Sequence, residues 1–121
     1  PAAGFLMVDR LDSEHVVVLT TLASVDEARG LVRRLVEDRL VACGTILDGG
    51  TSIYRWEGDV TEASEAVVLM KTRRDRWAAL AATVDELHPY DVPELLALPV
   101  EAGLGPYLEW VTAETAGEQG R

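Results

Sequence analysis

A histidine, a tyrosine and two acidic residues lie close together in the segment His88-Pro89-Tyr90-Asp91-Val92-Pro93-Glu94. Imidazole, phenol and carboxylate groups titrate, form hydrogen bonds and hold metal ions in binding sites. The prolines interrupt regular structure and so place these groups on a loop. We predict a ligand cleft here, with Tyr90 and Glu94 as lining residues and His88 as the candidate metal ligand. In the alternative interpretation, His88 only caps the preceding helix and Tyr90 only packs.

Lys71 is the only lysine of the chain, and it precedes a basic group at Arg73, Arg74 and Arg76. A helix is expected to begin near Thr72, and a helix N-terminus flanked by cations can hold an anion. Lys71 is therefore a third cleft candidate, for a carboxylate or phosphate at a subunit boundary. The alternative is an ordinary set of solvated ion pairs.

Four further side chains are given structural roles. Cys43, the only cysteine, cannot form an internal disulfide and has no neighbouring base, so a buried thiol is expected. His15 opens a strand and is expected to be exposed. Tyr107 and Trp110, on the last predicted helix, are interpreted as packing anchors of the core or of a subunit contact, with a ligand-binding role as the alternative.

The composition argues against several classes of partner. Twenty-one acidic against eleven basic residues give a net charge of −10, which repels phosphate backbones, so no nucleic-acid partner is expected. Apolar runs such as Val67–Met70 are far shorter than the ~20 residues that cross a bilayer. Pro1–Val8 has no basic residue before its apolar patch, unlike a secretion signal. Together with the single cysteine, this predicts a cytoplasmic protein.

The helices and strands that must position these groups are predicted from the spacing of apolar residues and from cap and turn residues. Ser24 and Glu27 form a capping box that should begin a helix. Gly58-Asp59 is the predicted turn between two long strands, and Thr72 the predicted N-cap of a second helix. The predicted elements are, in order, a strand at Val16–Leu19, a helix from Ser24, a strand from Leu40 to Leu47 that resumes from Thr51 to Glu57 after Asp48-Gly49-Gly50, a strand at Val60–Thr72, a helix from Thr72 to Pro89, a strand at Glu94–Leu98 and a helix from Pro106 to about Ala113.

This β-α-β-β-α-β-α order is typical of the ferredoxin-like α+β arrangement, with two helices on one face of an antiparallel sheet. We assign the domain to residues 14–113 and treat residues 1–13 and 114–121 as tails. The strand from Leu40 to Trp56 would reach about 55 Å if straight, whereas a chain of this size is about 35 Å across. We expect the hairpin to overhang and expose Tyr54 and Trp56, which favours a homo-oligomer. The alternative is a hairpin that folds back over its own sheet.

Seven ordered stretches carry a resemblance to a known family. They are Val16-Val17-Val18-Leu19-Thr20-Thr21, Leu40-Val41-Ala42-Cys43, Ser52-Ile53-Tyr54-Arg55-Trp56-Glu57-Gly58, Leu69-Met70-Lys71-Thr72, Leu87-His88-Pro89-Tyr90-Asp91-Val92-Pro93-Glu94, Leu98-Pro99-Val100 and Tyr107-Leu108-Glu109-Trp110. In this order and spacing, the chain resembles the CutA family of divalent-cation tolerance proteins over about Glu14 to Thr112.

The resemblance implies a ferredoxin-like homotrimer with paired long hairpins, an architecture similar to the PII signalling proteins, and no enzymatic activity. It also implies a role in divalent-metal tolerance, with copper binding attributed to bacterial members. In the family pattern a cysteine can stand at Thr20 and a second histidine at Leu87, so here only His88 matches. Copper(II) prefers two or more imidazole or oxygen donors, which makes one histidine per chain a weak site.

We therefore expect a non-enzymatic trimeric protein of metal tolerance, with weak binding of copper or another divalent cation and no certain cofactor. The alternative is a PII-like module that binds a small molecule or anion and has no physiological metal. An acylphosphatase-like hydrolase is disfavoured because that chemistry relies on asparagine, which the chain lacks. An RNA-recognition domain is disfavoured by the charge of −10.

Overall fold

A computed structural model describes residues 9–12 and 14–117. The strands are β1 (Asp9–Leu11), β2 (His15–Leu22), β3 (Cys43–Trp56), β4 (Asp59–Arg73), β5 (Leu95–Pro99) and β6 (Ala102–Leu104); the helices are α1 (Val25–Glu37), α2 (Trp77–Leu87) and α3 (Gly105–Glu114), and a short 3₁₀ turn (Arg74–Arg76) precedes α2.

The main sheet has the strand order β3-β4-β2-β5, and every neighbouring pair is antiparallel. This order and the two helices that cross between its strands make the fold ferredoxin-like, as the sequence predicts. Alternate residues of β2 and β4, including Val18, Val68 and Met70, are buried in the core shared with α1 and α2. The other residues of these strands face the opposite side of the sheet, which we call the helix-free face because neither α1 nor α2 packs on it.

Local sequence explains where α1 begins and ends. The Ser24 hydroxyl accepts a hydrogen bond from the Glu27 amide at 3.1 Å, which confirms the predicted N-cap. At the other end, Arg39 has a left-handed φ of 58°, and the Leu40 amide donates back to the Leu35 carbonyl. Because this closing turn uses Leu40, the next strand begins at Cys43, three residues later than predicted.

The hairpin of β3 and β4 is long, as expected, with strands of 14 and 15 residues. Its register shifts between Leu47 and Gly50, which confirms the predicted irregularity at Asp48-Gly49-Gly50. Its turn was predicted one residue too late: Glu57 and Gly58 occupy it with φ values of 51° and 90°, and Asp59 already belongs to β4. Two successive positive φ angles match the two-residue turn that fits the twist of a hairpin.

Thr72 is not the N-cap of the second helix, which corrects the prediction. It is a fully buried residue of β4, and its hydroxyl donates to the Leu40 carbonyl at 2.7 Å. The helix α2 begins only at Trp77, after the 3₁₀ turn. A threonine hydroxyl can cap a helix or bond elsewhere. Here the hydroxyl of Thr72 bonds to a buried carbonyl and its backbone is paired within the sheet, so the residue stays in the strand.

Parts of both expected tails are attached to the domain. The strand β1 pairs with β6, although residues 9–11 were assigned to the N-terminal tail. Beyond α3, Thr115 is fully buried and accepts a hydrogen bond from Arg73 at 3.0 Å. The remaining tail segments, 1–8, 13 and 118–121, lie outside the described residues.

His15 is buried, not exposed as predicted, because three elements meet around it. Its Nδ1 contacts the Asp12 carboxylate at 2.7 Å, and its Nε2 contacts the Thr112 hydroxyl of α3 at 2.8 Å. Burial opposes ionisation of Asp12, but its hydrogen bonds with His15 outweigh burial and lower the pKa of Asp12. The imidazole thus joins β2 to α3 across the helix-free face.

The last helix, α3, covers only part of the helix-free face, and most of this face is exposed in the single chain. Leu47 on β3 and Leu96 on β5 are each 51% exposed, and Leu98 is 49% exposed. Tyr107 and Trp110, predicted to be packing anchors, remain 44% and 42% exposed within the single chain. Among the helices of residues 9–12 and 14–117, none is both long enough and apolar enough to cross a membrane.

Candidate functional site: a cleft beside the long hairpin

A cleft of about 610 Å³ lies between the outer half of the hairpin and the loop that leads into β5. Ser52, Tyr54 and Trp56 alternate along β3 and therefore share one face, opposite Ala63 on β4. The loop closes the other side. The lining residues are Thr21, Ser52, Ile53, Tyr54, Trp56, Ala63, Glu65, Tyr90, Asp91, Val92 and Glu94.

Glu65 and Tyr90 form the central polar contact of this cleft. The Tyr90 hydroxyl donates to Glu65 Oε2 at 2.7 Å. Burial opposes ionisation of Glu65, but hydrogen bonds with Ser52, Tyr90 and Thr21 outweigh it and lower the pKa of this carboxyl. Burial and the bond to Glu65 raise the pKa of Tyr90. At neutral pH the cleft therefore contains a fixed carboxylate beside a neutral phenol.

The loop is held in place from β2 and from its own histidine. Thr20 Oγ1 donates to the Glu94 carbonyl at 2.6 Å, which fixes the end of the loop where β5 begins. His88, which caps α2, is buried, and its ring stands edge-on to Tyr90 with centroids 4.8 Å apart. These contacts set the position from which Tyr90 reaches Glu65.

Both ring nitrogens of His88 have partners within the chain. The Tyr90 amide donates to Nδ1 at 3.2 Å, so Nδ1 carries no proton; Nε2 then carries it and donates to the Thr21 carbonyl at 2.9 Å. A metal ion could bind a His88 ring nitrogen only if one of these two hydrogen bonds were broken. Within residues 9–12 and 14–117, no group of three or more His, Cys, Asp or Glu side chains is arranged to hold a metal.

The structure brings together Tyr90 and Glu94, two of the three predicted cleft residues, but not Lys71. Lys71 lies further along β4, paired with Val17 and Cys43, and is not among the residues that line the cleft. Of the arginines near it, Arg73 is engaged by Asp75 at 3.0 Å and by Thr115. The basic group also lies ahead of α2, in and beside the 3₁₀ turn, so the helix N-terminus expected near Thr72 is not there.

Cys43 is half-buried beside the last helix. Its sulfur lies 3.6 Å from the Tyr107 hydroxyl. Burial and this contact raise the pKa of Tyr107 to about 12. The thiol is thus a packing contact between β3 and α3, away from the cleft.

Sequence reasoning missed Glu65, which interacts most closely with Tyr90. Its signal was available: Glu65 shares a strand face with Val67 and Leu69, where an acidic residue is unexpected beside an apolar run. Ser52 and Thr21 were missed as well, because a single hydroxyl on a strand carries no distinctive spacing. Their contribution depends on the register that brings three strands together at Glu65.

Replacing Tyr90 with phenylalanine removes the hydroxyl that Glu65 accepts from. We expect the pKa of Glu65 to rise towards 4.5 and the free energy of unfolding at pH 7 to fall by about 1 to 2 kcal/mol, since the bond is to a charged group. A carboxyl with a lowered pKa stabilises the fold above its unfolded pKa and loses this as pH falls through its folded pKa. Urea unfolding from pH 7 to pH 3 should show the two proteins converging in acid.

Tyr54→Phe makes the same atomic change at an exposed lining residue and serves as the control. It should alter the free energy of unfolding little at any pH. A Tyr90→Phe loss that stays constant down to pH 3 would show that the hydroxyl acts by packing and not through the Glu65 carboxylate.

Comparison with known proteins agrees with this architecture. The model of the CutA1 divalent ion tolerance protein family matches residues 16–114. The Divalent-cation tolerance protein CutA of Thermus thermophilus is 46% identical over 99 residues, which are 82% of this chain and 96% of that protein. The solved structure of a divalent cation tolerance protein from Thermus thermophilus has a TM-score of 0.82 at 45% identity, and the match covers 84% of this chain and 99% of that one.

A more distant relative shares the same fold. The structure described as the periplasmic divalent cation tolerance protein CutA from Archaeoglobus fulgidus has a TM-score of 0.82 at 32% identity, with 84% of this chain and 99% of that chain covered. The family match to residues 16–114 includes the hairpin, the cleft loop and α3. The chain therefore belongs to the CutA family of divalent-cation tolerance proteins.

Proposed function

We propose that this protein is a non-enzymatic homotrimer with a role in divalent-cation tolerance. Its ligand, which we call the effector, binds in the cleft beside the hairpin. The observation that carries the proposal is the position of the cleft: Glu65 and Thr21 belong to the helix-free face, which is the open side of the sheet. A neighbouring subunit on that face would border the cleft. Binding there and assembly of the trimer are therefore physically linked.

The helix-free face supports assembly on its own. Leu47, Leu96 and Leu98 expose about half of their side chains on it, next to the edge strand β5. Soluble proteins rarely leave contiguous apolar surface and an unpaired strand edge to solvent. Three copies arranged around this face would bury the leucines, and the long hairpins would reach across the subunit boundaries.

Copper binding is expected to be weak. His88 supplies no lone pair without losing a hydrogen bond to Thr21 or Tyr90, and Thr20 and Leu87 bring neither sulfur nor imidazole. Copper(II) favours several nitrogen or oxygen donors in one plane. The protein would act in the cytoplasm, a proposal that rests on its single cysteine, although one relative is described as periplasmic.

A second candidate is a PII-like module that binds a small molecule and has no physiological metal. The size of the cleft favours it: about 610 Å³ lies within the range of small-molecule sites, which is roughly 300 to 1,000 Å³. This candidate uses the same trimer and the same cleft. It differs only in the chemistry of the effector.

Two measurements test the proposal. Light scattering coupled to gel filtration should give about three times the chain mass of 13.2 kDa. Calorimetric titration with copper(II) should give a weak isotherm that is the same for wild type and His88→Gln. A monomer at micromolar concentration contradicts the trimer, and tight copper binding that His88→Gln abolishes contradicts the weak-copper proposal.

A further inference from the structure

We propose that the cleft binds a small organic cation, an alkylammonium or an alkylguanidinium. The inference rests on the proposed function for the location of the site and adds the chemical class of the ligand. Three features of the cleft support it: the charge of its lining, its aromatic residues and its apolar residues. Each can be read from the residues that line it.

The charge of the lining that one chain provides is entirely negative. Glu65, Asp91 and Glu94 contribute carboxylates, and the lining contains no lysine, arginine or histidine. Among the described residues, none of these three acids takes part in a salt bridge. The protein as a whole carries −10, so its field also attracts cations. The cleft therefore disfavours the anion that Lys71 suggested in the sequence.

Aromatic rings border the same carboxylates. Tyr54 and Trp56 share a face of β3, and Tyr90 stands opposite them against Glu65. The face of an aromatic ring attracts a cation that can shed water readily, and tryptophan does so most strongly. A guanidinium group is hydrated more weakly than a simple ammonium group and can use this attraction, as can a quaternary ammonium group.

An inorganic divalent cation would use this cleft less well. Calcium takes six to eight oxygen ligands and magnesium keeps most of its water, whereas much of this wall consists of rings and alkyl groups. Within the described part of the chain no set of three acidic, cysteine or histidine side chains is close enough to hold a metal. Rings beside separated carboxylates suit a larger, softer cation.

The apolar lining accommodates the rest of such a ligand. Ala63 and Val92 line the cleft among the polar groups. A chain of three or four methylene groups attached to the cationic head could lie against them, and each buried methylene would add to the affinity. The cleft is thus built for a ligand with a charged head and a short alkyl chain.

The test compares n-butylguanidinium with N-butylurea, which has nearly the same shape but no charge. Calorimetric titration of the wild-type oligomer at 25 mM NaCl should show binding of the guanidinium, at least tenfold weaker binding of the urea, and weaker guanidinium binding at 300 mM NaCl. Magnesium chloride at equal concentration should compete poorly.

Substitutions then assign the effect to the cleft. Glu94→Gln and Trp56→Leu should each weaken guanidinium binding about fivefold, because one removes a charge and the other removes a ring face. Glu62→Gln makes the same charge change on β4 outside the lining and should leave the affinity unchanged. The mass of each variant is measured first, so that a change in assembly is not counted as a change in binding.

Three outcomes overturn the inference: no heat with butylguanidinium, equal affinity for butylurea, or tighter binding of magnesium. No heat would also be expected if a basic side chain of a second copy already fills the cleft. A trimer that gives no heat overturns the ligand class alone. A 13.2 kDa monomer overturns the proposed trimer, whether or not it binds the guanidinium.

Discussion

Leu96→Glu is expected to convert the proposed trimer into monomers of 13.2 kDa. Leu96 lies on β5 opposite Leu19, points to the helix-free face and is 51% exposed in the single chain. A glutamate there would stay hydrated in the monomer, whereas the trimer would have to bury three carboxylates with no partner. Burying an unpaired charge costs several kcal/mol. Light scattering at micromolar protein concentration measures the mass of the assembly directly.

Val36→Glu provides a matched control for this substitution. Val36 is 38% exposed, on α1 in the helix layer, so the same chemical change occurs away from the helix-free face. We expect Val36→Glu to keep the trimer mass. If Leu96→Glu also remains trimeric and as stable as wild type, then subunits do not meet on this face and the proposed arrangement is wrong.

The second large effect concerns His88. Replacing it with alanine removes the donor to the Thr21 carbonyl and the acceptor for the Tyr90 amide. Each polar group left buried without a partner costs about 1 to 3 kcal/mol, so we expect the free energy of unfolding to fall by about 3 kcal/mol. Tyr90 should also shift, because its amide is no longer held. Urea unfolding at pH 7 and fixed protein concentration measures the loss.

Two variants identify the cause of that loss. Leu87→Ala changes the neighbouring, partly exposed residue and should cost at most about 1 kcal/mol. His88→Gln can still place an amide donor near the Thr21 carbonyl, so it should recover part of the stability. If His88→Ala and Leu87→Ala have equal effects, the hydrogen bonds of the imidazole do not matter to stability.

The prediction of the elements succeeded where short-range chemistry decides the outcome. The apolar spacing of α1, the Ser24 cap and the length of the hairpin all follow from neighbouring residues, and the structure has them. Thr72 failed for the opposite reason. Its partner is the carbonyl of Leu40, a residue 32 positions earlier, and no local pattern shows that contact.

The residues of the candidate site also fall into two groups: those that local sequence predicts and those whose contacts depend on the fold. Tyr90 and Glu94 could be predicted because one short loop carries several functional groups between prolines. Glu65 could not be paired with Tyr90 in advance, since 25 residues separate them and the contact depends on the strand register. His88 was predicted as a ligand from its type, but the assembled fold gives both of its nitrogens to the backbone.

The sequence alone sufficed for the family, through the stretches that resemble it. It also sufficed for the ferredoxin-like order of elements and a long hairpin, because periodicity, caps and turns act over a few residues. Folding decided which groups meet: Glu65 with Tyr90, His15 with Asp12 and Thr112, and Thr20 with Glu94. It also decided that Lys71 lies outside the cleft. These contacts depend on strand register and helix packing, where a shift of one residue would turn each strand side chain to the other face of the sheet.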